Sequence, residues 1–366
     1  MTRPSVRPTH VRRSRTRRRY AVPALVAAVA LASGCAGSSA STPTSAPKGG
    51  TVTVTNCGAR ETFPSPAQRL YVTGDGNLLS MVLALGAEKQ IAGVTGLAAQ
   101  KQTLSTVYGK DVVDRLPVSS QDYPTMENAI ATRPDVVVSG WNYGYTLEKK
   151  FTPEDLKGHD IAPYVLSESC KQGNGARGTM PPWDALYADL GNLGEITGRQ
   201  DRARAVIADI TSRLGALTKA PRPAAPPTVF LFDSGTKNIF TSGAFGGPHA
   251  IIEAAGARNA TADLKDSWTE VSWERLVSAK PDFFAFVDYP GQSFADKVAV
   301  LRSNPATKNL PAVTEGRFIN LPISSWTSSP TNIDAAEQLR KALEKHGLVP
   351  ASGISPRVDL QPSEDR

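Results

Sequence analysis

Histidine is scarce in this chain of 366 residues, and no two histidines stand at the spacing of a metal site. The four are His10, His159, His249 and His346. The sequence also lacks His-Glu-x-x-His, Gly-x-Ser-x-Gly, a phosphate-binding glycine loop and a Ser-x-x-Lys that a basic triad follows. We therefore expect no metal bound directly by side chains and none of the enzymes that these motifs mark.

Positive charge is scarce once the first 35 residues are set aside. The chain has 41 lysines and arginines against 34 acidic residues, which gives a net charge of +7. Eight of the arginines and none of the acidic residues lie in residues 1–35, so the remainder carries 33 basic residues and a net charge of −1. Without a basic surplus we expect no nucleic-acid partner.

Residues 1–35 have the pattern of an export leader, with basic residues through Arg19, an apolar run from Ala21 to Ala32, and then Cys35. The apolar run is too short for a permanent membrane-spanning helix. The last four residues, Ala-Ser-Gly-Cys, resemble a bacterial lipobox, in which the cysteine is acylated. We expect lipidation of Cys35. A plain secretory leader is the alternative, and the general and twin-arginine export routes both stay open.

One long amphipathic helix is predicted between Thr197 and Lys219, where apolar residues recur at helical spacing. Thr197 or Gly198 is a candidate N-cap, and the proline-rich sequence from Pro221 ends the helix. About 20 residues at about 1.5 Å each span about 30 Å, the width of a small domain. The apolar residues are Ala203, Val206, Ile207, Ile210, Leu214 and Leu217.

Similar text occurs on both sides of this helix. Glu127 to Val138 and Glu274 to Val287 each read as a short helix, a basic residue, Pro-Asp and a continuous apolar run. Proline ends each helix, and an apolar run without alternation suits a parallel strand that is covered on both faces. The predicted fold is therefore α/β, with two lobes joined by the long helix. Ligands of such sheets bind beyond the carboxyl ends of the strands.

These features divide the chain into six segments. A stretch rich in Ser, Thr, Pro, Ala and Gly is typical of a flexible tether. The part that follows it is long enough for two cores. The predicted segments are 1–35 (leader), 36–50 (tether), 51–197 (first lobe), 198–220 (bridging helix), 221–350 (second lobe) and 351–366 (disordered tail).

Two cysteines remain once Cys35 is assigned to the lipid. Cys57 follows a strand-like segment and Cys170 lies in the sequence Leu-Ser-Glu-Ser-Cys, so both belong to the first lobe. An exported chain with one remaining pair favours a disulfide between them. Two buried thiols are the alternative.

A resemblance to a known family is carried by an ordered set of segments. Their succession resembles the solute-binding proteins of iron-siderophore and cobalamin ABC transporters, over nearly the whole chain from about Thr51 to Leu343. The resemblance implies a class III periplasmic-binding-protein fold of two Rossmann-like lobes, with the ligand between them and little hinge motion. The segments are residues 66–96, 127–145, 186–207, 246–264, 268–289 and 301–322.

The same resemblance implies a function. The chain is expected to be a monomer in the cell envelope, anchored by lipid to the outer face of the cytoplasmic membrane. There it binds a ferric siderophore or a corrinoid-like bulky ligand and delivers it to a permease and its ATPase. The chain is expected to need no cofactor, because iron or cobalt arrives inside a chelator.

Docking to the permease is a further implication. Family members commonly carry a glutamate in each lobe that pairs with permease arginines. In the first lobe the corresponding position, six residues before Gly86, is Ser80, so the chain departs from the family there. Glu253 is the expected counterpart in the second lobe, with an ordinary solvated glutamate as the alternative.

Aromatic residues are concentrated in the loops that follow the apolar runs. Such rings offer a large contact area to a bulky ligand at a small cost in conformational entropy, although each is also a candidate for lobe core. Lys237 and Arg177 are candidate partners of an anionic ligand. The predicted ligand-binding aromatics are Trp141, Tyr143, Tyr145, Phe245, Tyr289 and Trp326.

Two other functions fit the sequence. One is a lipid-anchored hydrolase, because Asp75, Asp233 and Asp288 stand where predicted strands end. The other is a surface lipoprotein without a small ligand, which predicts a closed interlobe surface. Turnover of a substrate would distinguish the first from a binding protein, and absence of saturable binding would distinguish the second.

Overall fold

Two parallel β-sheets, each covered by helices, are joined by one long helix in the computed structural model, which describes residues 49–362. The strands of this part are β1 (Gly50–Asn56), β2 (Ala59–Ser65), β3 (Leu70–Val72), β4 (Ile91–Thr95), β5 (Val118–Ser120), β6 (Val136–Ser139), β7 (Ala162–Val165), β8 (Thr228–Phe232), β9 (Ile239–Ser242), β10 (Arg258–Asn259), β11 (Trp268–Val271), β12 (Phe283–Asp288) and β13 (Phe318–Pro322). The helices are α1 (Asn77–Ala84), α2 (Lys101–Tyr108), α3 (Lys110–Asp114), α4 (Met126–Ala131), α5 (Pro153–Lys157), α6 (Pro182–Thr197), α7 (Gln200–Lys219), α8 (Gly247–Ala254), α9 (Trp273–Ala279), α10 (Phe294–Ser303), α11 (Pro311–Thr314), α12 (Ile323–Trp326) and α13 (Asn332–Lys345).

The two sheets have related topologies. The first lobe contains the strand order β5-β4-β3-β6-β7, and the second contains β10-β8-β12-β13, with every pairing parallel. The hairpin β1-β2 and the pair β9-β11 are antiparallel and stand outside these sheets. The continuous apolar runs of β6 and β12 are buried, as strands covered on both faces require.

The repeated Pro-Asp sequence has the same role in both lobes. The Asp135 carboxylate accepts hydrogen bonds from the backbone N–H groups of Gln68 and Arg69, at 2.7 and 3.0 Å, just before β3 begins. The Asp282 carboxylate likewise accepts from the N–H of Thr228, the first residue of β8, at 2.8 Å. Each aspartate thus fastens the start of one strand to the start of its parallel neighbour, which explains the repeat.

A continuous hydrophobic core extends through both lobes. Alternate residues of β6 and β12 point to it, and their neighbours point to a second, separate core on the opposite face of each sheet. The shared core includes Leu190 of α6, Ile251 of α8 and Leu339 of α13. The lobes are therefore packed against each other through their helices.

The bridging helix is α7, and the predicted fold of two α/β lobes joined by a single long helix is confirmed. Ala203, Ile210 and Leu217 are buried at intervals of seven residues, in keeping with its amphipathic pattern. α7 contacts α1 and α6 on one side and α8 and α13 on the other. The expected capping is wrong: Gly198, at φ 68°, ends α6, and Arg199 precedes α7 without a side-chain cap.

An ion-pair cluster joins α7 to the second lobe. The Arg213 guanidinium donates to the Glu337 carboxylate at 2.7 and 2.9 Å and also to Asp334, both on α13. All three side chains are at most 10% exposed. Because the carboxylates are buried, losing the arginine would leave their charges unpaired, so α13 is held to the bridge by charge as well as by packing.

The prediction of a disordered tail from residue 351 is wrong for residues 351–362. Leu360 is buried in the shared core, and the backbone oxygen of Val358 accepts a hydrogen bond from Gln338. At the start of this segment, the fully buried Arg340 donates to the carbonyls of Pro350 and Pro221. The segment is ordered because its apolar and backbone groups find partners on α13, which its composition did not reveal.

Several predictions fall on residues outside the described part. They are the leader (1–35), lipidation of Cys35, nearly all of the tether (36–50) and the last four residues of the tail. Within residues 49–362, no helix is both long enough and apolar enough to cross a membrane.

The predicted disulfide between Cys57 and Cys170 is confirmed, with the sulfur atoms 1.98 Å apart, and the alternative of two thiols is excluded. It joins the turn of the β1-β2 hairpin to the segment after β7, across a sequence separation of 113 residues. The hairpin is thereby attached to the first lobe covalently.

We expect that replacing both cysteines by alanine lowers the free energy of unfolding by about 4 kcal/mol, because the loop that the disulfide closes is long. Guanidinium unfolding of the parent and the double variant measures the difference. The parent under reducing conditions is the control, and it should unfold like the variant. A loss below about 1 kcal/mol would show that the disulfide is not a main source of stability.

Candidate functional site

The carboxyl ends of strands from both sheets border one cavity of about 600 Å³ between the lobes. In the first lobe Asp75 follows β3 and Tyr143 follows β6, and in the second Asp233 follows β8 and Tyr289 follows β12. In each lobe the two strands concerned are parallel neighbours. Each lobe therefore brings one carboxylate and one tyrosine to the cavity, from the loops that follow two neighbouring strands.

Tyr143 and Tyr289 are the predicted aromatics that line the cavity. The Tyr143 hydroxyl donates to a carboxylate oxygen of Glu168 at 3.2 Å. The Tyr289 hydroxyl lies 3.5 Å from a carboxylate oxygen of Asp75 and 3.4 Å from the hydroxyl of Tyr123. Burial, with the charge of Asp75 as a second cause, raises the pKa of Tyr289, so the phenol stays protonated.

The prediction that Tyr145 and Trp326 line the cavity is wrong. Both side chains are completely buried. The Tyr145 hydroxyl donates to the carbonyl of Tyr164 at 3.1 Å, and the Trp326 indole N–H donates to the carbonyl of Phe286 at 3.1 Å. Each ring satisfies its polar atom within its own lobe, as buried tyrosine and tryptophan usually do, and contributes to the core.

Trp141 and Phe245 also stand outside the cavity lining. The Trp141 ring packs against Tyr145 with centroids 6.0 Å apart, and the Lys171 ammonium lies over its face. Phe245 lies beside Gly178, where it contributes to the contact between the lobes on one side of the cavity. A position directly after a strand therefore did not suffice to place a ring in the cleft.

Three further aromatics complete the walls, and sequence reasoning missed them. Phe240 and Trp268 come from the antiparallel pair β9-β11, and their rings stack with centroids 5.9 Å apart. Tyr123 comes from the loop before α4 and is 46% exposed at the cavity edge. The rule of post-strand loops applies to the parallel sheets, so it gave no signal for rings on β9 and β11.

Two carboxylates face the cavity. Burial, together with the charge of Asp233, raises the pKa of Asp75 to about 6. Burial also raises the pKa of Asp233, although a hydrogen bond with Ser234 and the charge of Lys297 oppose the rise. Two partly desolvated negative groups therefore stand together without full compensation, and a positive group placed near them would be stabilised.

The two basic residues of the lining are engaged with the protein. The buried Lys297 ammonium donates to the carbonyl of Val287, and burial lowers its pKa. The Arg177 guanidinium donates to the carbonyl of Trp268 at 2.6 Å and lies 3.7 Å from the Asp266 carboxylate. Lys237, the other predicted anion partner, is exposed and is not part of the lining. The lining as a whole has two acidic and two basic residues and thus no positive surplus.

No group of three or more His, Cys, Asp or Glu side chains in residues 49–362 comes together as a metal site. The cavity lining contains no histidine. A bare metal ion therefore has no set of ligands in this part of the chain.

The docking candidates differ in accessibility. Ser80 is completely buried, and its hydroxyl lies 2.6 Å from that of Tyr108, so a permease cannot contact it directly. Glu253 is exposed on α8, and its role in docking stays a prediction.

Comparison with known proteins gives one family match and a set of similar structures. A family model described as periplasmic binding protein matches residues 72–324. No curated protein matches the chain.

Similar solved structures include a periplasmic binding protein from Veillonella parvula, with 20% identity, TM-score 0.67 and coverage of 81% of this chain and 98% of that chain. Another is described as an ABC-type Fe3+-hydroxamate transport system from Saccharomonospora viridis, with 21% identity, TM-score 0.65 and coverage of 80% and 98%. A third is a periplasmic heme-binding protein from Pseudomonas aeruginosa, with 21% identity, TM-score 0.59 and coverage of 81% and 99%. At these identities the structural likeness shows the fold.

We expect Asp75→Asn to stabilise the ligand-free protein by about 3 kcal/mol at pH 8. The folded state holds a proton on Asp75 up to about pH 6, whereas the unfolded chain releases it near 3.8, so this carboxyl lowers stability as the pH rises between these values. The gain from the variant should decline as the pH falls through about 6 and nearly vanish near 4.

Denaturant unfolding at several pH values measures this gain. Asp111→Asn, which changes an exposed aspartate of α3, is the matched control and should leave stability nearly unchanged at every pH. If Asp75→Asn does not increase stability above pH 6, the Asp75 carboxylate is not the source of the electrostatic cost assigned to it.

Proposed function

Because the chain belongs to the periplasmic binding protein family, we propose that it is the solute-binding component of an ABC importer and carries a ferric siderophore without net negative charge. Membership of this family makes the chain an extracytoplasmic solute-binding protein and not an enzyme. The nature of the cargo is inferred from the cavity between the lobes.

The size and walls of the cavity suit a bulky organic ligand. A volume of about 600 Å³ is in the range of pockets that enclose a drug-sized molecule. Five aromatic rings offer contact area at a small cost in entropy. They are Tyr123, Tyr143, Phe240, Trp268 and Tyr289.

Charge selects among the ferric siderophores. Asp75 and Asp233 face the cavity, while the cations Lys297 and Arg177 are engaged with protein groups. A ferric complex of three catecholates carries three negative charges and would bring them against these carboxylates. Three hydroxamates neutralise Fe³⁺, and a pendant ammonium group makes the complex cationic. A neutral or cationic hydroxamate complex is therefore the cargo that the cavity fits best, and one of the similar structures is described as a hydroxamate transport protein.

Haem fits the cavity less well. Its two propionates are negative, and its iron would need a histidine or a tyrosinate from the protein. The lining contains no histidine, and the raised pKa of Tyr289 opposes formation of a phenolate. A small oxyanion such as molybdate meets the same two carboxylates. A corrinoid is the other cargo that the family resemblance implies, and a titration separates it from a siderophore.

Membrane attachment and docking complete the proposal. Cys35 carries the lipid that holds the protein to the outer face of the cytoplasmic membrane, as its lipobox-like sequence suggests. Glu253 on the exposed face of α8 contacts the permease, which works with its ATPase. The protein binds its cargo as a monomer and delivers it without chemical change.

Titration of the full-length protein against a panel of ligands tests the cargo. We expect ferrioxamine B, a cationic ferric trihydroxamate, to quench tryptophan fluorescence in a saturable way, because Trp268 lines the cavity. A ferric tricatecholate, haem and molybdate should bind at least about tenfold more weakly, a difference of about 1.4 kcal/mol. Tighter binding of a corrinoid or of haem would replace the siderophore as cargo, and binding of none would contradict the proposal.

Replacing the cavity carboxylates tests the role of charge. Asp75→Asn and Asp233→Asn should each weaken ferrioxamine B about tenfold or more, because each removes a charged partner of the ammonium group. The affinity of the parent should increase as the pH rises through about 6, because Asp75 ionises in that range.

The N-acetylated, uncharged form of ferrioxamine B is the matched ligand control, and Asp111→Asn is the control variant. The uncharged ligand should bind the parent and the two carboxylate variants nearly equally, and Asp111→Asn should bind ferrioxamine B like the parent, with the same dependence on pH. An equal loss for the charged and uncharged ligands would mean that the carboxylates shape the cavity but do not recognise charge.

A further inference from the structure

Glu168 is a buried carboxylate directly behind the cavity wall. It lies in the segment after β7 and is 1% exposed. One of its oxygens accepts hydrogen bonds from the Trp268 indole N–H at 2.7 Å and from the Tyr143 hydroxyl at 3.2 Å. The other accepts from the backbone N–H of Ser328 at 2.5 Å. A single side chain thus holds three donors.

These donors belong to opposite sides of the cleft. Tyr143 lines the first-lobe wall, and Trp268 lines the second-lobe wall. Ser328 follows α12 in the second lobe, directly after Thr327, which also lines the cavity. Through Glu168 the two aromatic walls are therefore connected to each other by two hydrogen bonds.

Burial of the Glu168 carboxylate lowers the stability of the folded protein. None of the ion pairs found among residues 49–362 includes Glu168, so neutral donors alone compensate its charge. A buried carboxylate without a cation is destabilising compared with an apolar side chain of similar size. An ordinary packing role would be filled more favourably by leucine or methionine.

We propose that Glu168 is a positioning residue that fixes the separation and orientation of Tyr143 and Trp268, and thereby sets the affinity of the cleft for its ligand. This inference rests on the proposed function, because it takes the cavity as the binding site. Glu168 itself is not part of the cavity lining, whereas the two rings that it holds are.

The neighbouring chain supports this role. The segment 168–178, which we name the clasp, reaches from the first lobe to the second. The Gln172 side chain donates to the carbonyl of Lys265, and the Arg177 backbone N–H donates to the Asp266 carboxylate, both at 3.0 Å. The disulfide at Cys170 attaches the clasp to the β1-β2 hairpin. Within the clasp, Glu168 is the residue whose side chain reaches both aromatic walls.

Protonation offers a way to loosen the contact without mutation. Burial raises the pKa of Glu168 to about 7, with a smaller contribution from the charge of Asp189, whereas its three donors oppose the rise. The titratable groups that face it are Tyr143, from the loop after β6, and Asp189, from α6. Protonation removes the negative charge that strengthens the three hydrogen bonds, so the donors of both walls are held less strongly.

Asp189 is a matched control within the same chain. It is completely buried, and its pKa is also raised to about 7 by burial. Its carboxylate accepts from the hydroxyl of Tyr164 and from the N–H and hydroxyl of Ser167, all in the first lobe and none in the cavity lining. Asp189→Asn therefore removes a comparable buried charge without touching the cleft.

The test combines a ligand-free and a ligand-bound measurement on the full-length protein. In spectra of ¹⁵N-labelled indole groups, Trp268→Phe identifies the Trp268 signal. Glu168→Gln should shift that signal, because the amide that replaces the carboxylate meets the Ser328 N–H with a donor of its own. At pH 9, where Glu168 is ionised with or without Asp189, Asp189→Asn should leave the signal in place. In the parent, the signal should titrate with a midpoint near pH 7.

Affinity for ferrioxamine B should fall about tenfold in Glu168→Gln and change less than about twofold in Asp189→Asn. Equal losses in the two variants would reduce Glu168 to a structural carboxylate and overturn the proposal. The proposal would also be overturned if the Trp268 signal shifted neither in Glu168→Gln nor with pH. If Glu168→Gln does not fold, the pH titration of the parent decides.

The two proposals fail in different ways. If no ligand of the panel binds, the proposed cargo is wrong, yet the Trp268 signal still reports whether Glu168 holds the ring. If ferrioxamine B binds but Glu168→Gln changes neither the Trp268 signal nor the affinity, the proposed cargo is supported and the positioning role of Glu168 is refuted.

Discussion

Continuous packing between the lobes is the constraint on which the rest of the structure depends. The core that contains Leu190, Ala203, Ile251 and Leu339 passes from the helices of the first lobe through α7 to those of the second. Packed interiors resist deformation, so a wide opening of the lobes would break this core. The cleft is therefore largely formed before the ligand arrives, and recognition depends on walls that are already in place.

Preformed walls explain why the cleft tolerates groups that stability alone would remove. Asp75, Asp233 and Glu168 are carboxylates withdrawn from water, and burial raises the pKa of each. Two of them face the cavity, and the third holds its rings from behind. Arg177 and Lys297 balance the charge only in part, because both are engaged with backbone carbonyls. The electrostatic cost of Asp75 and Asp233 is located where a ligand can offset it, which is typical of binding sites.

The sequence predicted the two lobes and their strands better than it predicted the side chains that line the cavity. The Pro-Asp repeat identified β6 and β12 because its physical cause is local: proline ends a helix, and aspartate binds the neighbouring strand. The loops after strands were also found, but loop position does not fix the direction of a side chain, so Tyr143 faces the cavity while Tyr145 is in the core. Trp268 was missed because its pair of strands stands outside the parallel sheets. Glu168 has no sequence signal, since its partners come from three distant segments.

Arg340 connects three separate segments of the second lobe by hydrogen bonds. Its guanidinium lies against the carbonyls of Pro221, Pro350 and Ala255, which belong to the exit of the bridging helix, the C-terminal segment and the end of α8. Since α8 also contacts α7 and α13 directly, Arg340 adds hydrogen bonds to an existing packing contact, and displacement of α8 alone would break both.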